Sequence, residues 1–170
     1  MKKNRCERAL LNLKKVLNKC DYYEGDLYIN GMFTEEVEGQ DYEEIQHYKV
    51  MGLDLSHTNF GKIELEDLDF YDCDFSYCNF DNATIRGCNF INCVFNETTF
   101  EDTELIAIAF VDCYLDYAYF LNCEICNIKS TEEIKEDHLQ DTYIERFTKI
   151  YNIEDLSEEE EEEEQDNPTL

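Results

Sequence analysis

Every fifth residue from Leu55 to Ile125 is Phe, Leu or Ile, through fifteen consecutive positions. The row reads Leu55, Phe60, Leu65, Phe70, Phe75, Phe80, Ile85, Phe90, Phe95, Phe100, Leu105, Phe110, Leu115, Phe120, Ile125. Two residues before each member runs a second row, small or apolar throughout: Leu53, Thr58, Ile63, Leu68, Cys73, Cys78, Ala83, Cys88, Cys93, Thr98, Thr103, Ile108, Cys113, Ala118, Cys123. A period of five matches neither a helical stripe nor simple strand alternation. It is an internal repeat and constrains everything else. Both rows must face one interior while the three residues between them face water. A chain that turns a corner every five residues meets both demands.

A second period sets the size of one coil. Phe60, Phe80, Phe100 and Phe120 share a side chain, as do Phe70, Phe90 and Phe110, and Leu65, Ile85, Leu105 and Ile125 are all aliphatic. Identity therefore recurs every 20 residues, which predicts four units per coil and like side chains stacked along the axis. With segments such as CDFSY (73–77), CNFDN (78–82) and CNFIN (88–92), the stretch from Leu53 to Ile128 resembles the pentapeptide repeat family. The resemblance implies an all-β solenoid, a right-handed quadrilateral β-helix.

The flanks lack the repeat. Cys6, Ala9, Leu10, Leu13, Val16, Leu17 and Cys20 recur at helical spacing beside basic residues, predicting an amphipathic N-terminal α-helix that caps the first coil. Asn30-Gly31 between 27–29 and 32–33 predicts a hairpin turn, and residues 35–50 read as a mixed connector. Beyond Ser130, residues Ile134, Leu139, Tyr143, Phe147, Ile150 and Tyr151 suggest a C-terminal α-helix with an N-cap at Ser130-Thr131. The expected organisation is therefore 1–50 helix, hairpin and connector; 51–129 solenoid; 130–153 capping helix; 154–170 disordered acidic tail containing the Glu158–Glu164 run.

The formal charge is −27. Residues 53–130 alone hold fifteen acids against Lys62, Arg86 and Lys129. Direct nucleic-acid binding is disfavoured and a basic partner is implied. Fifteen units, stacked at the strand spacing, would make a rod of roughly 18 Å. Over that length duplex DNA carries about ten to eleven negative charges, comparable to the repeat tract's own excess. The acids group as Glu64, Glu66, Asp67, Asp69, Asp72 and Asp74, then Glu97, Glu101, Asp102 and Glu104. The repeat itself favours Asp or Asn just before each inward residue, which accounts for some of them and not for Glu66, Asp67, Asp72, Glu97, Glu101 or Asp102. A separate outward row, Tyr71, Ile91 and Val111, is apolar and spaced by 20, with Met51 as an extension. Such a stripe calls for a cover: a flanking helix, a second subunit or a partner. Ile106, Tyr114, Tyr117, Tyr119 and Leu121 make the last coil apolar outside, which suits docking of the C-terminal helix or a homodimer through that end.

Six of the nine cysteines sit in the inward second row as small buried hydrophobes. Cys123 and Cys126 form a lone CxxC without a second ligand pair, so no metal or other cofactor is expected. Abundant unpaired thiols and no apolar run of membrane-spanning length place the protein in the cytoplasm. The three histidines, His47, His57 and His138, join no hydrolase, metalloprotease or P-loop motif, and no enzyme is expected. The family resemblance implies instead an acidic DNA mimic. Such a protein inhibits a DNA-binding enzyme, a type II topoisomerase or a restriction or CRISPR nuclease, by occupying its nucleic-acid site. The competing reading is a non-enzymatic interaction scaffold that meets its partner through the apolar stripe.

Overall fold

The structure, a computed structural model, describes residues 21–23, 28–30, 32–36, 43–151 and 153–156, with side chains from His47 onward apart from Asp155. The strands in these segments are β1 (Asp21–Tyr23), β2 (Tyr28–Asn30), β3 (Met32–Glu36), β4 (Glu43–Met51), β5 (Glu64–Glu66), β6 (Leu68–Tyr71), β7 (Thr84–Arg86) and β8 (Asn89–Ile91). They continue as β9 (Thr99–Glu101), β10 (Glu104–Val111), β11 (Tyr119–Leu121), β12 (Glu124–Ser130), β13 (Leu139–Gln140), β14 (Tyr143–Ile144) and β15 (Phe147–Lys149). They build a parallel β-solenoid of about five turns, with almost no helix among the described residues.

The register follows from the 20-residue period. Phe70 lies opposite Phe90, Phe90 opposite Phe110, Leu65 opposite Ile85, and Phe100 opposite Phe120. One run of parallel pairing passes through β4, β6, β8, β10, β12 and β15, and another through β2, β5, β7, β10, β12 and β14. β9, β11 and β13 form a third, and single bridges Asp54↔Asp74↔Val94↔Tyr114 mark a fourth side. The corners carry the backbone cost. A residue with positive φ occurs every five positions from Gly52 to Asp112 (His57, Lys62, Asp67, Asp72 and onward), then again at Asn122 and Asn127. Asn, Asp and Gly fill most of these places because they adopt the left-handed region most readily.

The interior is a stack of rings. Phe75 and Phe95 lie parallel with centroids 5.0 Å apart, and Phe70 meets Phe75 edge-on at 5.3 Å. Each such pair contributes about 0.5–1.5 kcal/mol beyond area burial. The second inward row has its own logic. Cys78, Cys93, Thr98, Thr103, Cys113 and Cys123 each donate to a carbonyl 23 residues earlier, for example Thr98 Oγ1 to Phe75 O at 2.7 Å and Cys113 Sγ to Phe90 O at 3.1 Å. Cys and Thr interchange there because both are small donors that tie one coil to the coil before. The six cysteines of this row are buried. Burial pushes the Cys88 thiol up to about 12, and a hydrogen bond with Cys93, ahead of burial, raises Cys73.

Five expectations change. The helix predicted over 130–153 does not form. Ile134, Leu139 and Ile144 instead pack against the solenoid core, and they recur every five residues, one residue out of phase with the earlier row. A shortened coil results, in which Ile125 pairs Ile144 and Ile128 pairs Phe147 at an offset of 19. Helical spacing was the wrong period for apolar residues that continue the pentad. Parallel stacking therefore runs from Tyr48 to Lys149, beyond the expected 51–129, and β2 adds one more parallel strand beside β5. Of the expected connector 35–50, residues 43–50 belong to β4, which pairs antiparallel with β3 and, through Tyr48–Met51, parallel with β6. Among the described residues β2 and β3 do not pair with each other, as a hairpin joining 27–29 to 32–33 would require. β2 pairs with β1 and β5 while β3 pairs with β4, an arrangement that covers open strand edges of the first coil. Residues 154–156, assigned to the tail, sit in a 3₁₀ turn, Ile153–Leu156. The N-terminal amphipathic segment 5–20 and the Glu158–Glu164 run lie outside the described residues.

Candidate functional site

The corner geometry distributes the ten acids around the rod. Glu64 and Glu104 share one outward ladder, Glu64↔Thr84↔Glu104. Glu66 lies beside Arg86 on the same side, and Arg86 Nη2 donates to Glu104 Oε2 at 2.9 Å. Asp69 and Asp74 lie on the next two sides, with Asp67 and Asp72 at the corners leading into them. Glu97 and Asp102 occupy later corners, and Glu101 an exposed strand position. The acids close in sequence therefore wrap the solenoid and do not converge on one face.

Several carboxylates are engaged within the rod. Asn89 Nδ2 donates to Asp69 Oδ1 at 2.8 Å, Asn92 Nδ2 to Asp72 Oδ1 at 2.5 Å, and Asn122 Nδ2 to Asp102 Oδ1. In all three the amide stands one coil after the acid, so like charges do not stack at those positions. The 20-residue spacing of Asp followed by Asn is a signal that reading the acids as a cluster missed. Asp74 accepts from the Ser76 N–H at 2.8 Å. Glu64, Glu97 and Glu101 extend exposed side chains.

A histidine joins the first acidic coil. His47, on β4, places Nδ1 3.2 Å from Asp69 Oδ1 and Nε2 4.0 Å from Asp67 Oδ1. The hydrogen bond to Asp69 raises its pKa, opposed by partial burial. Burial, ahead of the nearby charges, raises that of Asp67. Only the parallel pairing of β4 with β6 brings these three together, which the connector reading of 35–50 concealed.

The apolar row stacks as expected: Tyr71 opposite Ile91, and Ile91 opposite Val111. Its cover comes from the chain itself. Val111 (1% exposed) and Ala109 (2%) form a small cluster with Ile150, against which Ile91 and Leu156 pack. The covering segment is an extended stretch and a 3₁₀ turn rather than the flanking helix anticipated. At the opposite end of the row Met51 is 62% exposed among the described residues, and Lys49 Nζ lies 5.9 Å from the centre of the Tyr71 ring. Tyr77, Tyr114, Tyr117 and Tyr119 form an additional exposed aromatic set. Among the described residues no group of three or more His, Cys, Asp or Glu is arranged to hold a metal, and no helix is long and apolar enough to cross a membrane.

Residues 44–120 match the SV2A/B/C luminal domain family. No curated relative and no solved structure matches the chain. Over that central stretch, less than half of its length, the chain is similar to the SV2A/B/C luminal domain.

Proposed function

We propose that this is a pentapeptide-repeat protein of the quadrilateral type, acting in the cytoplasm as a non-enzymatic DNA mimic that occupies the nucleic-acid site of a basic enzyme. The observation that carries the reading is linear charge. Residues 48–149 hold twenty-one acids against seven Lys and Arg, an excess of fourteen. The stack is six strands deep, about 24 Å at the usual strand spacing. Duplex DNA carries about fourteen charges over the same length. Acids that encircle the rod suit a duplex mimic, since a basic cleft grips a duplex from more than one side. A preformed stack also loses little entropy on docking, and its field speeds the encounter. The abundance of buried cysteines supports the cytoplasmic placement, whereas the similarity to a luminal domain favours a lumen.

The test uses the full chain against a purified type II topoisomerase and a purified CRISPR nuclease, with duplex DNA as competitor. The expected result is micromolar or tighter binding that duplex DNA displaces. It should weaken at least tenfold when Glu66, Asp72, Glu101 and Asp102 become Gln or Asn. Binding that ignores both DNA and neutralisation would sink the mimic. The second reading, a scaffold that meets a partner or a second copy through apolar surface, is favoured by exposed Met51 next to half-buried Tyr71 at one end of the stripe. Met51→Gln with Tyr71→Gln should then abolish capture.

A further inference from the structure

Three sides of the solenoid gain a final rung near the C-terminus: β13 rests on β11, while β14 and β15 rest on β12. The fourth side does not. There the ladder Asp54↔Asp74↔Val94↔Tyr114 ends at Tyr114. Each rung below follows one pattern. Tyr114 donates its N–H to Cys93 O at 2.9 Å and accepts from the Phe95 N–H at 2.9 Å, as Val94 does with Cys73 and Phe75. One coil further on, the equivalent groups are Cys113 C=O and Leu115 N–H. Among the described residues no backbone hydrogen bond reaches either.

The chain passes over this edge without a backbone ladder, although the Asp112 N–H donates to Thr131 Oγ1 at 2.7 Å. Thr131 N–H still bonds Phe110 O at 3.1 Å and Ile134 still packs on the core, but the backbone forms no strand before Glu136–His138. A cleft of about 490 Å³ lies there, bordered by Tyr114, Asp112, Asp116, Glu132, Glu133 and Lys135. Open strand edges accept extended chains. The charge of the border selects which: of its four carboxylates Asp116 lies 2.6 Å from Lys135 and Glu133 3.8 Å from Lys149, and Asp112 and Glu132 keep the border acidic. Tyr114, 47% exposed, offers a ring face to a cationic side chain.

We propose that this edge receives an extended basic segment of a partner protein as an added parallel strand. One peptide residue opposite Tyr114 donates its N–H to Cys113 C=O and accepts from Leu115 N–H, repeating the pattern of the rungs below. The site goes beyond the DNA-mimic reading, because main-chain groups at one end of the rod carry it and not the outer carboxylates.

The probe is a synthetic heptapeptide of alternating arginine and valine, added to the full chain. Amide hydrogen exchange and calorimetric affinity are the readouts. In the free protein the Leu115 amide should exchange at least a hundredfold faster than that of Phe95. Saturating peptide should slow it at least tenfold. N-methylation of the three central peptide residues, which keeps every charge and side chain, should weaken binding at least tenfold, and so should Glu132→Gln with Glu133→Gln. The proposal is overturned if Leu115 is already as protected as Phe95, because the chain then closes its own edge. It is equally overturned if the N-methylated peptide binds as well, because charge alone then attracts it. Either failure leaves topoisomerase and nuclease competition by duplex DNA unaffected.

Discussion

At the corners single residues decide whether the coil closes. Gly87 has φ +58, and a Cβ built there would stand 2.3 Å from Asp67 Oδ1. Gly87→Ala therefore combines a left-handed cost of about 1–2 kcal/mol with displacement of the Asp67 side chain. Urea unfolding should show at least that loss, and an unchanged midpoint would refute the account. His47 makes a second local prediction. Its folded pKa is raised by Asp69, so its stabilising contribution is complete below the unfolded value of about 6.5 and is lost as pH rises through the folded value. The raised pKa of Asp67 has the same sign in a more acidic window, since its protonated form is the one favoured by the fold. Stability should fall as pH rises above about 6.5 in the native chain, and His47→Gln should flatten that segment of the profile. An identical profile for the variant would show that the contact contributes nothing.

Among the elements, the segment after β15 shows how an outward surface is retired. Ile150, 4% exposed, covers Ala109 and Val111 beside Ile91. Replacing Ile150 with Asp places a charge in that contact, which disfavours docking by several kcal/mol in the buried state. The expected outcome is protease cleavage after Lys149 with far-ultraviolet circular dichroism of the solenoid retained. Cleavage no faster than in the native chain would mean that Leu156 holds the segment unaided. The shortened last coil explains the segment's course. With an offset of 19, Thr142 Oγ1 still reaches Phe120 O at 2.9 Å, so the small-donor row continues although its spacing has slipped.

Taken as one body, the solenoid behaves as a stack in which each coil touches chiefly its neighbours. Phe75 makes ring contacts with Phe60, Phe70, Phe80, Phe90 and Phe95. Phe120, equally buried, meets Phe100 alone among the core phenylalanines. Phe75→Ala should cost about 3–5 kcal/mol and Phe120→Ala distinctly less, within the range for large-to-small core changes. Equal losses in denaturant midpoints would argue against a neighbour-by-neighbour stack.

The amino-acid sequence by itself determined the pentad, the 20-residue coil, the inward rows and the burial of six cysteines. A period of five with unbroken apolar residues admits few other chain paths, so these were legible without coordinates. Where the period slipped by one at Ile134, Leu139 and Ile144, helical spacing competed with it, and only the stacking on β12 resolved which period the chain obeys. The candidate acids were legible as residue types but not as a surface, because faces depend on which corner each residue occupies. Their Asn partners, the His47 contact, the cover over Val111 and the open edge at Cys113–Leu115 were decided by tertiary structure. Each joins residues about 20 or more apart through backbone pairing, or its absence, and pairing is a property of the folded stack rather than of any local segment.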